Sequence, residues 1–286
     1  MHVILTGATG LVGGGVLDAM LAMPEISRIS ILTRRPVPML EDRIKANDPA
    51  VTAVKDRVRV ILHKDFSQYD DALLKGELKG AAGVVWALGI SQLAVSKEDY
   101  VTITKDYTLA AAEAFRKIPA TDPSKTETEP FRFVYVSGLG AETKPGMLTQ
   151  RFGKVKGETE VSLADMTNKE PNPAPGSGLR PFLGSSVRPA GVDPHGHTAL
   201  APYVPPVPQL SLKLTRLFLA PVIRATYPSM VSPTLPLGTF LAGSALGQYD
   251  AQLTNSATKK AGDVEWYGGS KFAIVNNTAF RRIMNL

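Results

Sequence analysis

The chain has 286 residues, of which 44% are apolar and 20% are charged, and it carries a formal net charge of +6. This balance is typical of a folded globular protein and excludes a disordered or fibrous one. Because the sequence contains no cysteine, a disulfide framework, a thiolate metal site and a cysteine nucleophile are excluded. Lysines and arginines are scattered among carboxylates rather than massed in a run, so we expect no nucleic-acid partner.

The N-terminus leads directly into an apolar segment, without the basic region that marks a cleavable signal. The sequence contains no uninterrupted apolar stretch of about eighteen residues, the length that a membrane span requires. We therefore expect a cytoplasmic protein with no integral membrane span.

Short apolar runs separated by helical patterns organise the N-terminal part of the chain. They predict buried parallel strands at Val3–Thr6, Ile29–Thr33, Val58–Leu62 and Gly83–Leu88. The first helix is predicted over Gly15–Met23, where Pro24 ends it.

The alternation continues through the middle of the chain. A long helix is predicted over Asp99–Phe115, a strand over Phe131–Val136 and a helix over Gln150–Met166. A sixth strand is predicted from Leu179 to Val187, with an irregular first half because of Pro181. Strands that alternate with helices in this way predict an α/β fold with a doubly wound parallel sheet.

Two segments are predicted to be surface loops, Pro119–Pro130 and Asn168–Gly178. From Pro194 to Pro236 the chain is rich in proline and includes an amphipathic piece at Leu210–Ile223. We expect a single domain over residues 1–286, in which residues 194–286 largely form a small C-terminal part that covers the substrate.

A glycine-rich turn lies between the first strand and the first helix, with the sequence Thr6-Gly7-Ala8-Thr9-Gly10-Leu11-Val12-Gly13. Gly7 suits a tight turn, Gly10 lets the backbone approach a pyrophosphate, and Gly13 lets the helix lie close to the strand. The helix N-terminus supplies amide donors for an anion. We predict that this turn binds a dinucleotide through Gly7, Thr9, Gly10, Leu11, Val12 and Gly13; the alternative is a purely structural glycine-rich hairpin.

The spacing of these glycines resembles the first turn of the extended and atypical short-chain dehydrogenase/reductase families. The segment Lys156-Gly157-Glu158-Thr159-Glu160 especially resembles a subgroup that includes the human Tat-interacting protein and its fungal relatives. Ser186–Gly191 and Asn277–Arg282 are also similar to that subgroup. The resemblance spans almost the whole chain and implies a Rossmann-like fold that binds a nicotinamide cofactor.

The segment after the second strand indicates which cofactor is bound. An NAD-preferring enzyme places a carboxylate there, on the adenosine ribose, whereas this chain has Arg34 and Arg35. A guanidinium can form paired hydrogen bonds with a ribose 2′-phosphate, so we predict NADP(H) as the cofactor. The alternative is a solvated basic turn.

Further cofactor contacts are implied by the same resemblance. Asp65, which precedes Phe66 after the third strand, stands where the family commonly binds the adenine amino group; its alternative role is to cap a helix before Gln68. Ala87, Leu88 and Gly89 follow the fourth strand and resemble the family's small-residue approach to the cofactor, through backbone contacts.

The family's catalytic pair is a tyrosine and a lysine four residues apart on one helix. Here Phe152 stands at the tyrosine position, while Lys156 remains. A phenyl ring neither donates nor accepts a proton, so the usual acid/base group is missing and Phe152 is predicted to line the substrate pocket. Ser137 stands where the family has the serine that orients the substrate carbonyl; the alternative is a hydroxyl that caps local backbone.

Another proton donor would be required for carbonyl reduction. His195 and His197 follow the sixth strand at the ligand-binding end of the sheet and are the candidates, with His195 the preferred one; the alternative is a pair of solvated histidines. With no third ligand nearby in the sequence, we predict no metal site.

These residues support three functions. The first is an NADP(H)-dependent oxidoreductase acting on a carbonyl or enone of a small hydrophobic metabolite. The second is a non-redox isomerase or cyclase that retains the cofactor, which the replacement of tyrosine by Phe152 favours. The third is a cofactor-sensing module that binds a protein partner.

Overall fold

The computed structural model describes residues 1–121, 129–169, 172–174, 176–205, 220–254, 262–268 and 271–286. The first half contains, in chain order, β1 (His2–Thr6), α1 (Leu11–Ala22), β2 (Arg28–Thr33), α2 (Pro38–Lys45), α3 (Pro49–Thr52), β3 (Val58–Leu62), β4 (Ala81–Trp86), α4 (Lys97–Val101), α5 (Tyr107–Phe115) and β5 (Phe131–Val136). A π-helical turn, Thr102–Asp106, joins α4 to α5 in one continuous helix, and another lies at Leu73–Glu77.

The second half contains α6 (Arg151–Lys169), β6 (Phe182–Arg188), β7 (Gly191–Asp193), α7 (Ala220–Thr226), β8 (Val231–Pro233), α8 (Thr234–Leu246), α9 (Asp250–Thr254), β9 (Val264–Tyr267), β10 (Phe272–Asn276) and α10 (Asn277–Ile283). Short 3-10 turns occupy Lys55–Arg57, Ala201–Tyr203 and Pro228–Met230. In the described part of the chain, no helix is both long and apolar enough to cross a membrane.

An eight-stranded sheet has the order β3-β2-β1-β4-β5-β6-β10-β9. Its neighbouring strands pair in parallel, except β9, which is antiparallel to β10. From β1 the chain first builds outward through β2 and β3 and then returns to add β4 on the other side. The connections therefore diverge between the carboxyl ends of β1 and β4, which is where ligands bind in sheets of this kind.

The two faces of the sheet are buried by different helices. On one face α1 and α8 pack so closely that a Cβ on Gly15 would lie 2.9 Å from the carbonyl oxygen of Thr234. The other face carries α5 and α6 and is rich in aromatic side chains, among them the buried Trp86, Phe115 and Phe133. The doubly wound α/β fold predicted from the sequence is confirmed.

The prediction that Val58–Leu62 is a buried strand is wrong in one respect. These residues form β3 as predicted, but β3 is the edge of the sheet, and Val60 and Leu62 are 40% and 63% exposed. The sixth strand begins at Phe182 rather than Leu179, because Pro181 has no N–H to donate to a neighbouring strand. The Pro181 carbonyl oxygen still accepts a hydrogen bond from the Phe131 amide at 2.8 Å.

The C-terminal region contributes more to the core than the sequence suggested. Strands β9 and β10 complete the sheet and α8 packs on α1, so much of 194–286 is not a substrate cover. The predicted loop Asn168–Gly178 begins later than expected, because α6 extends to Lys169. Most of the predicted loop Pro119–Pro130 and of the amphipathic piece Leu210–Ile223 lies outside the described residues.

Candidate active site

The glycine-rich turn has the geometry that a dinucleotide needs. Gly7 adopts a φ of +71°, and a Cβ there would collide with the carbonyl group of Ala87 on the neighbouring loop. A Cβ on Gly13 would collide with the Gly7 carbonyl group, so this glycine allows α1 to lie against the turn. The Gly10 amide donates to the Gly7 carbonyl oxygen at 2.8 Å, and no side chain caps α1. The leading amides of α1 are thus left to an external acceptor.

A groove runs across the carboxyl ends of the parallel strands. Its first part is a cavity of about 560 Å³ that contains Thr9, Arg34, Arg35 and Phe66 in its wall. Its second part is a cavity of about 650 Å³ that contains Ser137, Phe152 and Lys156. The two parts share the residues at the β1/β4 divergence, Gly10, Ala87, Leu88, Gly89 and Ile90.

Most predicted cofactor residues therefore lie along one groove. Gly7 and Thr9 line its first part, and Leu11 and Val12 line its second part. Gly13 lines neither, because its contact is with the turn itself. Because the two parts share lining residues, their walls connect the arginine end of the groove with Lys156.

The two arginines are exposed at the first end of the groove. The Arg35 guanidinium donates to the Thr9 hydroxyl from Nε at 3.3 Å and from Nη2 at 3.2 Å, which holds it above the glycine turn. A further cavity of about 430 Å³ lies beside Arg35, and Pro202–Pro205 forms part of its wall. The C-terminal region thus reaches over the turn at this point.

Asp65 is exposed and does not line the groove, so the structure does not bring it to the predicted adenine site. Its carboxylate accepts hydrogen bonds from the Ser67 hydroxyl at 2.6 Å and the Ser67 amide at 2.9 Å, which hold its pKa below the usual value. The segment is a turn, so Asp65 is not a helix cap either. Phe66, next in the chain, is buried and lines the groove instead.

Lys156 is anchored at the other end of the groove. Its Nζ donates to the carbonyl oxygens of Ser137 at 2.6 Å and Val136 at 3.1 Å. It also lies 5.4 Å from the centroid of the Phe152 ring and 5.7 Å from that of Tyr135. Burial lowers the pKa of Lys156 to about 8, and the nearby Glu160 carboxylate only partly opposes this.

Phe152 fits tightly against the loop after β5. A Cβ on Gly138 would lie 2.7 Å from the Phe152 Cζ atom, so the ring occupies the space that a side chain at position 138 would need. The Phe152 amide, near the start of α6, donates to Oε1 of Gln92 at 3.1 Å. Sequence analysis missed Gln92; a polar residue in the loop after β4 was the available signal.

Ser137 lies at the carboxyl end of β5, as predicted. It is only 4% exposed, and its Oγ makes no hydrogen bond within the described structure. It therefore does not cap local backbone, which was the alternative prediction. Its backbone N–H, in contrast, pairs with the Val187 carbonyl oxygen at 2.9 Å. A buried hydroxyl without a partner in the wall of a cavity is suited to bind a ligand atom.

The structure does not bring the predicted histidines to Lys156. His195 is exposed in a turn and lines neither part of the groove. His197 is 3% exposed, and its ring nitrogens lie 2.8 Å from the Thr234 hydroxyl and 3.0 Å from the Asp18 carboxylate. Asp18 also pairs with Arg43 at 2.6 Å. His197 thus joins the loop after β7 to α1 and α8 and is not solvated.

A buried ion pair holds the active-site helix to the sheet. Glu160, which is fully buried, accepts from Arg188 Nε at 3.0 Å and from the Ser186 hydroxyl at 2.8 Å. A second guanidinium nitrogen of Arg188 contacts the other carboxylate oxygen. The pair joins two segments that carry the family resemblance. Its members lie far apart in sequence, so no local signal predicted it.

The described residues contain no group of three or more histidine and carboxylate side chains arranged to hold a metal ion. What the groove offers instead is a set of hydrogen-bond donors. These are backbone amides at the turn, guanidinium groups at one end, and a hydroxyl and an ammonium group at the other. Such a set fits an elongated anionic molecule with phosphates at one end.

Two fungal proteins are similar to the chain in sequence. Botcinic acid biosynthesis cluster B protein 16 of Botryotinia fuckeliana (strain B05.10) is 39% identical over 178 residues, which cover 62% of this chain and 98% of that protein. Leucinostatins biosynthesis cluster protein T of Purpureocillium lilacinum is 32% identical over 234 residues, which cover 78% of this chain and 77% of that protein. No family model matches the chain.

Solved structures share the fold at low sequence identity. A short-chain dehydrogenase/reductase of Brucella melitensis, named as a glucose/ribitol dehydrogenase, matches with a TM-score of 0.56 and 15% identity over 97% of this chain and 95% of that chain. A putative 2-deoxy-d-gluconate 3-dehydrogenase of Agrobacterium tumefaciens with bound NADP matches with a TM-score of 0.54 and 14% identity over 87% and 90%. The PhqB reductase domain of Penicillium fellutanum matches with a TM-score of 0.55 and 16% identity over 86% of this chain, which spans 64% of that chain. The protein therefore belongs to the same family as the two fungal biosynthetic-cluster proteins, and it has the fold of the short-chain dehydrogenase/reductases.

Proposed function

We propose that the protein is an NADP(H)-dependent oxidoreductase of secondary metabolism that acts on a carbonyl or enone of a small hydrophobic metabolite. The observation that carries this proposal is the continuous groove between Arg34 and Arg35 at one end and Ser137 and Lys156 at the other. The names of the two fungal relatives support the metabolic setting.

The residues present fit the cofactor. A cofactor pyrophosphate would lie at the free amides of α1, which the absence of side chains at Gly7 and Gly10 leaves open. Arg34 and Arg35 would hold the 2′-phosphate, and Pro202–Pro205 would cover that end. When bound, NADPH supplies a hydride to the substrate. Lys156 would hold the nicotinamide ribose, and Ser137 would orient the substrate oxygen.

The first experiment measures cofactor preference. The wild-type protein is titrated separately with NADPH and NADH, and the variant Arg35→Ser is compared with Arg59→Ser, a change at an exposed arginine of the edge strand β3. Loss of one charge-assisted contact should weaken NADPH binding at least tenfold and leave NADH binding almost unchanged. Arg59→Ser should change neither affinity. Equal affinity of the wild type for the two cofactors would contradict the assignment of NADP(H).

The second experiment measures turnover. NADPH oxidation is followed by absorbance with a panel of hydrophobic ketones and enones, and Lys156→Met serves as the inactive comparison. Consumption of NADPH by the wild type alone supports the oxidoreductase. Tight NADPH binding with no consumption across the panel would contradict it.

A non-redox isomerase or cyclase is the second candidate, and Phe152 is the observation that favours it. Its ring fills the space above Gly138 and leaves the groove without the phenol that protonates a reduced carbonyl. Conversion of a substrate without a change in NADPH absorbance would support this candidate.

A further inference from the structure

We propose that the side-chain amide of Gln92 substitutes for the missing phenol and donates a hydrogen bond to the substrate oxygen on which negative charge develops. The inference rests on the proposed function, because it names the group that receives this oxygen. It also restricts the substrate to an uncharged carbonyl or enone that passes through an enolate or alkoxide.

The orientation of the Gln92 amide is set by its partner. Its Oε1 atom accepts from the Phe152 backbone amide at 3.1 Å. A backbone N–H can only donate, so the oxygen end of the side chain must face α6 and the NH2 end must face away. No group in the described part of the chain accepts a hydrogen bond from this NH2, and Gln92 lines the cavity that contains Lys156. The free donor is therefore available to a ligand in the cavity.

The same contact couples Gln92 to the catalytic helix. The Phe152 amide is among the first amides of α6, which have no partner within the helix. Gln92 satisfies it and is thereby held beside the ring that occupies the tyrosine position. Lys156 lies one helical turn further along the same helix, so Gln92 and Lys156 are positioned by one rigid element.

The polar groups around this cavity are suited to negative charge. Ser137 offers a buried hydroxyl without a partner, and Lys156 uses two of its three N–H groups on backbone carbonyls, which leaves the third. The described residues that line the cavity include no aspartate or glutamate, while Leu11, Val12 and Ile90 supply apolar walls. Donors in a site of low polarity stabilise an oxyanion more than a neutral carbonyl.

The test uses 4-nitrophenol as a probe, because its phenolate oxygen resembles an enolate oxygen and its absorbance reports its ionisation. Binding is measured in the presence of NADP⁺ for the wild type, Gln92→Leu and Gln92→Glu. Gln92→Glu keeps the acceptor for the Phe152 amide but removes the donor. Ser96→Ala serves as the control. The Ser96 hydroxyl caps α4 by accepting a hydrogen bond from the Asp99 amide at 3.0 Å, and Ser96 does not line the cavity.

We expect the wild type to bind the phenolate in preference to the phenol. Gln92→Leu should weaken phenolate binding about tenfold, and Gln92→Glu about a hundredfold because a carboxylate repels the bound anion. NADP⁺ affinity should not change in either variant, and Ser96→Ala should bind the probe as the wild type does. A merely structural function of Gln92 would leave the ionisation of the bound probe unchanged.

The inference is overturned if the wild type does not select the phenolate, or if both Gln92 variants bind it as tightly as the wild type. The proposed function fails in a different way, by an absence of NADPH binding or consumption. If the wild type does not consume NADPH but the Gln92 variants still bind the phenolate more weakly, the oxidoreductase is rejected and the assignment of Gln92 as a hydrogen-bond donor is retained.

Discussion

The stability of the protein relative to the variant Lys156→Met should depend on pH, because the pKa of Lys156 is lowered in the folded state. The substitution Lys156→Met keeps the length of the apolar stem and removes the charge that burial disfavours. One pKa unit corresponds to about 1.4 kcal/mol, so a fall from 10.5 to about 8 corresponds to about 3 kcal/mol of lost folding free energy. The side chain is partly exposed, and solvent screening reduces the expected change between about pH 8 and 10.5 to about 1–2 kcal/mol. The variant also loses the hydrogen bonds to the Val136 and Ser137 carbonyl oxygens, which contribute a part of the difference that does not depend on pH.

The direction of the pKa shift of Lys156 determines how the stability difference changes with pH. The folded-state pKa of Lys156 lies below the unfolded value, so between about pH 8 and 10.5 the unfolded chain binds more protons than the folded one. The free energy of unfolding of the wild type relative to that of Lys156→Met should therefore be constant below about pH 8 and should rise as the pH increases toward 10.5. Guanidinium unfolding of both proteins at several pH values measures the difference, in which all other titrating groups cancel. A relative stability of the wild type that is independent of pH, or that falls as the pH rises, would refute this reasoning.

Three further changes test other parts of the structure. Glu160→Gln leaves Arg188 buried with a neutral partner and should lower the free energy of unfolding by about 3–5 kcal/mol, measured by denaturant unfolding; a loss below about 1 kcal/mol would mean that Glu265, 3.5 Å from Arg188, takes over the pairing. Gly13→Ala places a methyl group against the Gly7 carbonyl and should abolish NADPH binding in calorimetry. Gly89→Ala, where a Cβ meets no atom within 4 Å, should weaken NADPH binding less. Phe152→Tyr adds a phenol hydroxyl to a ring whose centroid lies 5.4 Å from Lys156 Nζ and should increase NADPH consumption on the ketone panel; unchanged turnover would show that the proton is delivered elsewhere.

The elements that the sequence predicted best are those with local causes. The turn itself imposes a φ of +71° on Gly7, and Gly10 and Gly13 contact the Gly7 carbonyl group a few residues earlier. The strands at the centre of the sheet follow from apolar runs such as Val3–Thr6. The edge position of β3 could not be read in this way, because an apolar run does not reveal whether another strand will pair beyond it.

Side chains that meet across the fold were predicted least well. His197 stands four residues after Asp193 in a polar loop, yet it ends buried between two helices through partners at Asp18 and Thr234. Asp65 follows the third strand as the resemblance requires, but its carboxylate is satisfied by Ser67 two residues later. For His197 the deciding interaction is set by tertiary packing, which residue type and spacing do not encode. For Asp65 it is a local turn, which competes with the role that the resemblance implied.

The close packing of α1 against α8 affects the order in which the protein can form. Gly15 and Gly238 bring the two helix backbones into direct contact, so α1, which follows the glycine-rich turn, packs against a helix near the end of the chain. During synthesis on a ribosome, more than two hundred further residues are added after the N-terminal βαβ unit before α8 emerges. Contacts of such long sequence separation slow folding and leave apolar surface exposed meanwhile. Expression at reduced temperature with chaperones should therefore benefit this protein more than a chain whose glycine turn is completed by its neighbours.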